Sequence, residues 1–330
     1  MDVNRYVHLR KSSTKGYGVY SPSVSMDVNV PGRMSGGVGA TLYAPDHFIV
    51  AEIPSPPQGV WMVGGVPLRG YALSILVGIV VAIVWSQRRY ADRGGRREVV
   101  VDVALAAVPA GIIGGRVYHL ATDWRSYWGP AGTPGDWWKI TNGGLGIWGA
   151  VVGGGLATWL VLRWKRLELA PFADSVAPPI LVAQGIGRLG NWFNQELYGR
   201  PTDLPWGLKI FERVDAHGAF APVTGHSTGN VIAVVQPTFL YEMLWNFAIA
   251  AVIVWIDRAF QLGGGRVFAL YVAGYTVGRF WIELLRADQA THVCGLRINT
   301  LTSTICFVSA VLFLVWARSR HRKELKEFRA

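Results

Sequence analysis

The sequence predicts an all-α, polytopic membrane protein with about seven transmembrane helices, its N terminus outside and its C terminus in the cytoplasm. Three observations predict it. Charged residues make up only 16% of the 330-residue chain and hydrophobic residues 51%, against roughly 25% charged in an ordinary soluble domain. Seven apolar segments approach the roughly 20 residues that cross the hydrocarbon core as a helix. Lys and Arg collect in alternate connections, as the positive-inside rule requires. The same composition excludes a disordered chain, a collagen-like repeat and a disulfide scaffold, since Cys294 and Cys306 are the only cysteines.

Residues 1–45 are polar, rich in Ser, Gly and Val, and without period; they read as a disordered tail. Their charged start is followed by no apolar core, so no cleavable signal peptide is expected there. Met26 and Met34 are alternative starts, so this tail can be absent from the cellular protein. Ile53-Pro54-Ser55-Pro56-Pro57 predicts a stiff extended stretch leading to Trp61, an interfacial anchor. The apolar segments then run over 70–85, 99–120, 144–164, 172–190, 237–256, 267–285 and 301–316. The first and last need flanking residues to span. Gly111/Gly115 and Gly149/Gly153 provide small residues four apart, which let helices approach closely in lipid. Residues 46–317 thus form one membrane domain with a long outer loop at 191–236, and 318–330 form a basic cytoplasmic tail.

The net charge is +11. The loop at 86–97 carries five Arg, the next basic loop Arg163, Lys165 and Arg166, the third Arg258 and Arg266, and the tail six Lys/Arg. The intervening 121–143 stretch has only Arg125 and Lys139. Topology therefore accounts for the basic balance, and no nucleic-acid partner is expected.

An ionisable residue within a span is costly and marks a functional site by default. Those present are Arg116 and His119, Arg188 with Asn191, Asn194 and Glu196 just beyond, Glu242, and Arg279 with Glu283; Tyr71 and Tyr275 accompany them. Each falls in the outer half of its segment. Tyr275, Arg279 and Glu283 are spaced four apart and share one helix face. The two central arginines, Arg188 and Arg279, suit a phosphate, whose oxygens match the guanidinium fork. Glu196 and Glu283 are expected to hold those arginines, while His119 reads more simply as a helix-end histidine meeting water. No metal site is expected, because the cysteines lack ligand spacing and the spans lack an aspartate cluster.

The stretch Gly187-Arg188-Leu189-Gly190-Asn191-Trp192-Phe193-Asn194-Gln195-Glu196-Leu197-Tyr198-Gly199-Arg200 resembles the signature of bacterial prolipoprotein diacylglyceryl transferases. Three further stretches fit in order: 143–150 resembles the family's glycine motif, 237–242 its P-x-x-L-Y-E motif and 278–283 its R-F-x-x-E motif. The resemblance covers about residues 50–317. It implies a bacterial cell-membrane enzyme with its active site toward the outer leaflet. Such an enzyme moves the diacylglyceryl group of phosphatidylglycerol to the lipobox cysteine in a prolipoprotein signal peptide, forming a thioether and releasing glycerol phosphate without a cofactor. It further marks Tyr71, Arg188, Asn191, Glu196, Gly199, Arg279 and Glu283 as functional positions, with Arg188 at the one associated with phosphatidylglycerol binding; catalytic roles are expected for Tyr71, Arg188, Asn191, Glu196, Arg279 and Glu283, and substrate binding for Arg188, Arg279 and Gly199, to which the polar residues within the spans add Tyr275 and Arg116. Two positions depart from the pattern: Trp148 and Gln236 stand where many members have histidine. An indole has no acceptor nitrogen for a thiol proton, so the first of those histidines cannot be a universal base if this chain is active. The alternatives are a transporter or channel for anionic solutes, which should show two related halves, and a metal-dependent headgroup transferase, which should show clustered aspartates.

Overall fold

The computed structural model describes residues 52–130, 132–139, 143–287, 292–293 and 296–329. Seven long helices carry the fold: α1 (Gly70–Asp92), α2 (Arg97–Thr122), α4 (Ile147–Trp164), α5 (Leu169–Asn194), α6 (Thr238–Phe260), α7 (Arg266–Leu285) and α8 (Ile298–Arg329), with the single turn α3 (Arg125–Trp128) between α2 and α4. Six of the long helices are long and apolar enough to cross a membrane. The exception is α7, whose 20 residues include Arg266, Arg279 and Glu283. Pro109 in α2 and the Pro178-Pro179 pair in α5 lie inside helices, a tolerance typical of membrane spans, where neighbouring helices satisfy the freed backbone groups.

Helix α1 packs along α5, α2 along α4, and α5, α6, α7 and α8 follow one another in sequence order. The α2–α4 seam is made of glycine. A Cβ at Gly114 would collide with the Gly149 carbonyl, and one at Gly153 with the Ala110 carbonyl. Of the spaced glycines anticipated from sequence, Gly149/Gly153 lie at this close contact, while α2 meets them with Ala110 and Gly114 rather than with Gly111 and Gly115. Gly149→Leu should force this seam apart at about 1–3 kcal/mol, the usual cost of overpacking, read as a lowered midpoint of thermal unfolding in detergent.

The helical expectation holds, with strands beside the helices. Strand β1 (Ile53–Pro54) pairs parallel with β4 (Leu208–Val214), which pairs antiparallel with β5 (His226–Val235); the hairpin β2–β3 (Val60–Val63, Val66–Arg69) and the short pair β6–β7 (His292–Val293, Leu296–Arg297) complete the strands. The stretch expected as a long loop thus supplies two strands of a three-stranded sheet, β4 and β5. Its signal is short: Leu208 and Ile210 point to a small core with Val235 and Phe239, while the intervening Lys209 pairs with Glu52 at 2.6 Å. Two alternations are too few to separate a strand from a loop by periodicity.

Two boundaries also differ. Helix α1 continues through Arg88 and Arg89 rather than ending at Trp85, because Arg89 and Arg93 both bind Asp257 of α6 at 2.8 Å. Helix α8 runs on through the stretch expected as a tail. The tail at 1–45 and Cys294 lie outside the described residues; Cys306 is a free thiol. At this end of the bundle Asp174 accepts from the amides of Gly265 (2.9 Å) and Phe268 (3.0 Å), capping α7, and Lys165 pairs with Asp102 at 2.8 Å. The anionic cap satisfies orphan N–H groups of a helix start.

Candidate active site

At the opposite end of the same helices, three polar stripes meet. Helix α5 contributes Gln184, Arg188 and Asn191, α6 contributes Glu242 and Asn246, and α7 contributes Tyr271, Tyr275, Arg279 and Glu283. Spacings of three and four place each set on one helix face.

Glu242 is the hub. One carboxylate oxygen pairs with Arg188 Nε, and the other lies 2.9 Å from Arg279 Nη1. The second fork of Arg279 meets Glu283 Oε2 at 2.8 Å. Glu283, fully buried, accepts at its other oxygen from Arg297 Nε (2.8 Å) and Asn299 Nδ2 (3.2 Å). Arg188 also donates to Asn191 Oδ1 (3.4 Å), and Tyr275 lies close to it. Asn191 in turn donates from Nδ2 to Glu196 Oε1 at 3.0 Å. Tyr71 faces Glu196 and Arg188, and its ring lies over Gly190, where a Cβ would come within 2.6 Å of it. Arg188 and Arg279 therefore both pair with one carboxylate, that of Glu242.

The assignment of carboxylates is partly corrected. Glu283 does hold Arg279, but Glu196 is bonded by Asn191, and the carboxylate holding Arg188 is Glu242. Sequence reading recorded Glu242 only as an intramembrane charge inside the P-x-x-L-Y-E stretch. Arg297, Asn246, Gln184 and Tyr271 were not singled out. Gln184 Nε2 donates to the Tyr271 hydroxyl at 3.2 Å, one turn deeper than Arg188, and a spacing of four from Arg188 and Tyr275 was the available signal.

Arg116 is placed elsewhere. Its guanidinium donates to the carbonyls of Trp137 (2.7 Å), Asp136 (2.8 Å), Gly143 (2.9 Å) and Gly144 (2.9 Å), and it lies over the Tyr127 ring. Four of five donors are engaged by backbone carbonyls, so Arg116 braces Asp136, Trp137, Gly143 and Gly144. His119 sits beside it, 3.2 Å from the Tyr127 hydroxyl, which fits the helix-end reading. Gly199 is required for close approach: its N–H donates to the Gln236 carbonyl at 3.0 Å, and a Cβ there would come within 2.6 Å of Gln236 Cβ. Trp148 opens α4, and Gln236 Oε1 accepts from the Tyr241 hydroxyl at 3.0 Å.

The sheet fixes the turn that follows α5. Gln195 adopts a left-handed conformation (φ 52°), and its side-chain amide accepts from Phe211 N (2.7 Å) and donates to Phe211 O (3.1 Å), like an extra strand residue. Arg213, wholly buried, donates to the carbonyls of Pro56 (2.6 Å), Phe193 (2.9 Å) and Pro222 (3.0 Å). Burial pushes its pKa down to about 10, still far above neutral, so it is charged. Asn191 and Glu196 are thereby held on a backbone anchored from both sides.

Below this cluster lies an apolar recess of about 1100 Å³, walled by residues such as Ile79, Val103, Ala107, Phe268 and Val272, and reaching Tyr271 of the polar stripe.

Comparison with known proteins points the same way. The family model described as prolipoprotein diacylglyceryl transferase matches residues 58–316. Among similar curated proteins, one from Corynebacterium efficiens is 63% identical over 267 residues, covering 81% of this chain and 83% of the relative. One from Corynebacterium glutamicum strain R is 59% identical over 280 residues (84% and 88%), and one from Corynebacterium diphtheriae is 60% identical over 262 residues (79% and 93%). All three bear the name phosphatidylglycerol–prolipoprotein diacylglyceryl transferase.

Proposed function

The chain belongs to the prolipoprotein diacylglyceryl transferase family, and from that premise we propose how its polar cluster performs the transfer. The enzyme moves the diacylglyceryl group of phosphatidylglycerol onto a prolipoprotein, a step of lipoprotein maturation. The acceptor is the thiol of the lipobox cysteine in the signal peptide. A C–S bond forms at the glycerol carbon as its C–O bond to phosphate breaks; the oxygen leaves with the electron pair on glycerol phosphate, and the thiol proton is released.

The observation that carries this reading is the convergence of Arg188 and Arg279 on one anion. Negative charge grows on the leaving phosphate in the transition state, and preoriented guanidinium groups stabilise it there at no cost of reorganisation. Asn191 hydrogen-bonds a phosphate or glycerol oxygen, and Tyr71 and Tyr275 orient the headgroup. A thiol of pKa about 8.5 is a few per cent ionised at neutral pH, and the positive cluster increases that fraction. Glu283 and Glu242 act on the arginines. The apolar recess supports burial of the acyl chains beneath the headgroup, because its walls carry few polar groups. The same apolar floor gives an anion no onward route, which disfavours the transport alternative.

The cluster faces the outer leaflet of the bacterial cell membrane in this proposal. The support is charge: Arg88, Arg93, Arg163, Lys165, Arg258 and Arg266 gather at the helix ends opposite the site, and the positive-inside rule puts that end in the cytoplasm. Reconstitution in vesicles with phosphatidylglycerol and a lipobox peptide tests the function. The expected result is a peptide heavier by one diacylglyceryl group, with no product when phosphatidylethanolamine replaces phosphatidylglycerol. An unmodified cysteine under both conditions would overturn it.

A further inference from the structure

We propose that Glu242 is the resident counter-anion of the phosphate site: the lipid headgroup displaces its carboxylate from Arg188 and Arg279, and Asn246 receives it. The inference rests on the transferase reading above. Its first support is geometric. Each oxygen of Glu242 meets a different guanidinium, the arrangement in which two phosphate oxygens would be gripped by the same pair. Arg279 Nη2 also pairs with Glu283 and Arg188 Nη1 donates to Asn191, and the position that touches both guanidiniums at once is the one Glu242 occupies. A phosphate held by both arginines therefore enters where Glu242 sits.

The second support is a place for the carboxylate to go. Asn246 is one turn deeper on α6, four residues from Glu242, only 2% exposed, and its Nδ2 has no hydrogen-bond partner among the described residues. Side chains four apart on a helix reach each other, and an unmade buried donor is costly. Rotating inward, the Glu242 carboxylate satisfies that donor while leaving both guanidiniums to the phosphate.

Charge gives the exchange its purpose. With Glu242 in place the arginine pair carries a net +1; without it, +2. The substrate diester brings one negative charge and the product monoester up to two. A bare pair would hold product more tightly than substrate, since attraction scales with charge. The returning carboxylate competes product away and closes the cycle.

Steady-state kinetics in vesicles, with glycerol phosphate as the inhibitor, separates this role from a structural one. Glu242→Gln keeps the shape and removes the charge. The expected result is a KM for phosphatidylglycerol and an inhibition constant for glycerol phosphate both lowered about tenfold, with kcat reduced by slow release. Asn246→Leu removes the receiving donor and should act in the opposite sense, raising both constants severalfold. Constants unchanged in either folded variant, or raised in Glu242→Gln, overturn the proposal; should Glu242→Gln not fold, Asn246→Leu decides alone. Failure of the unaltered enzyme to make thioether would instead overturn the functional reading on which the proposal stands.

Discussion

Arg188→Ala is expected to lower kcat/KM for transfer roughly 30- to 1,000-fold, with the folded protein retained. The range follows from losing one charge-assisted contact to the departing phosphate, about 2–4 kcal/mol of barrier. Arg188 reaches two neighbours through different nitrogens: Nε to Glu242 and Nη1 to Asn191. A lysine offers one compact ammonium in place of that fork. Arg188→Lys should therefore restore charge but little rate. Single-turnover transfer to a lipobox peptide, with phosphatidylglycerol saturating, measures the chemical step apart from binding. A variant that keeps more than half of the unaltered rate would remove Arg188 from the leaving-group role and leave Arg279 to carry it alone.

Much of this site was legible before any coordinates, and the reason is energetic. Charges within apolar segments are expensive enough to stand out against their surroundings, so Arg188, Arg279 and Glu283 were visible as a set, and the four-residue spacing of Tyr275, Arg279 and Glu283 gave the shared face on α7. An expected depth came from counting along segments whose direction the charge pattern predicts. What escaped was pairing. Which carboxylate holds which arginine depends on helix rotation and neighbour choice, and nothing along the chain distinguishes Glu196 from Glu242 as the partner of Arg188. Arg116 illustrates the same limit from the other side. Its segment position matches the cluster, yet the glycine-rich turn after α3 brings four carbonyls to its guanidinium. Uncharged polar residues were also hidden: Asn246 and Gln184 do not disturb a hydropathy profile, although each carries a buried atom without a hydrogen-bond partner among the described residues. The three-stranded sheet was missed because its alternation is brief and its best clamp, Arg213, reads as one more basic residue in a basic protein.

Glu283→Gln is expected to be the most damaging single change to the fold of the site. The carboxylate is fully buried and pairs with Arg279 and Arg297 at 2.8 Å each, with Arg286 Nη1 at 3.9 Å. Removing one member of a buried ion pair leaves uncompensated charge and costs about 3–5 kcal/mol; here one deletion strips the shared anion from several guanidiniums at once. An amide also brings a donor face toward cations that can only donate, so it cannot substitute for the missing oxygen. The expected outcome is a clear fall in thermal midpoint in detergent together with loss of transfer, because Arg279 loses the partner that orients its second fork. Double substitution distinguishes the two effects. Adding Arg297→Leu to Glu283→Gln removes one stranded charge and should recover part of the stability, while transfer stays lost because Arg279 is still unsupported. If transfer recovered along with stability, Glu283 would serve the fold alone and Arg279 would be held in its working position by Glu242 without help.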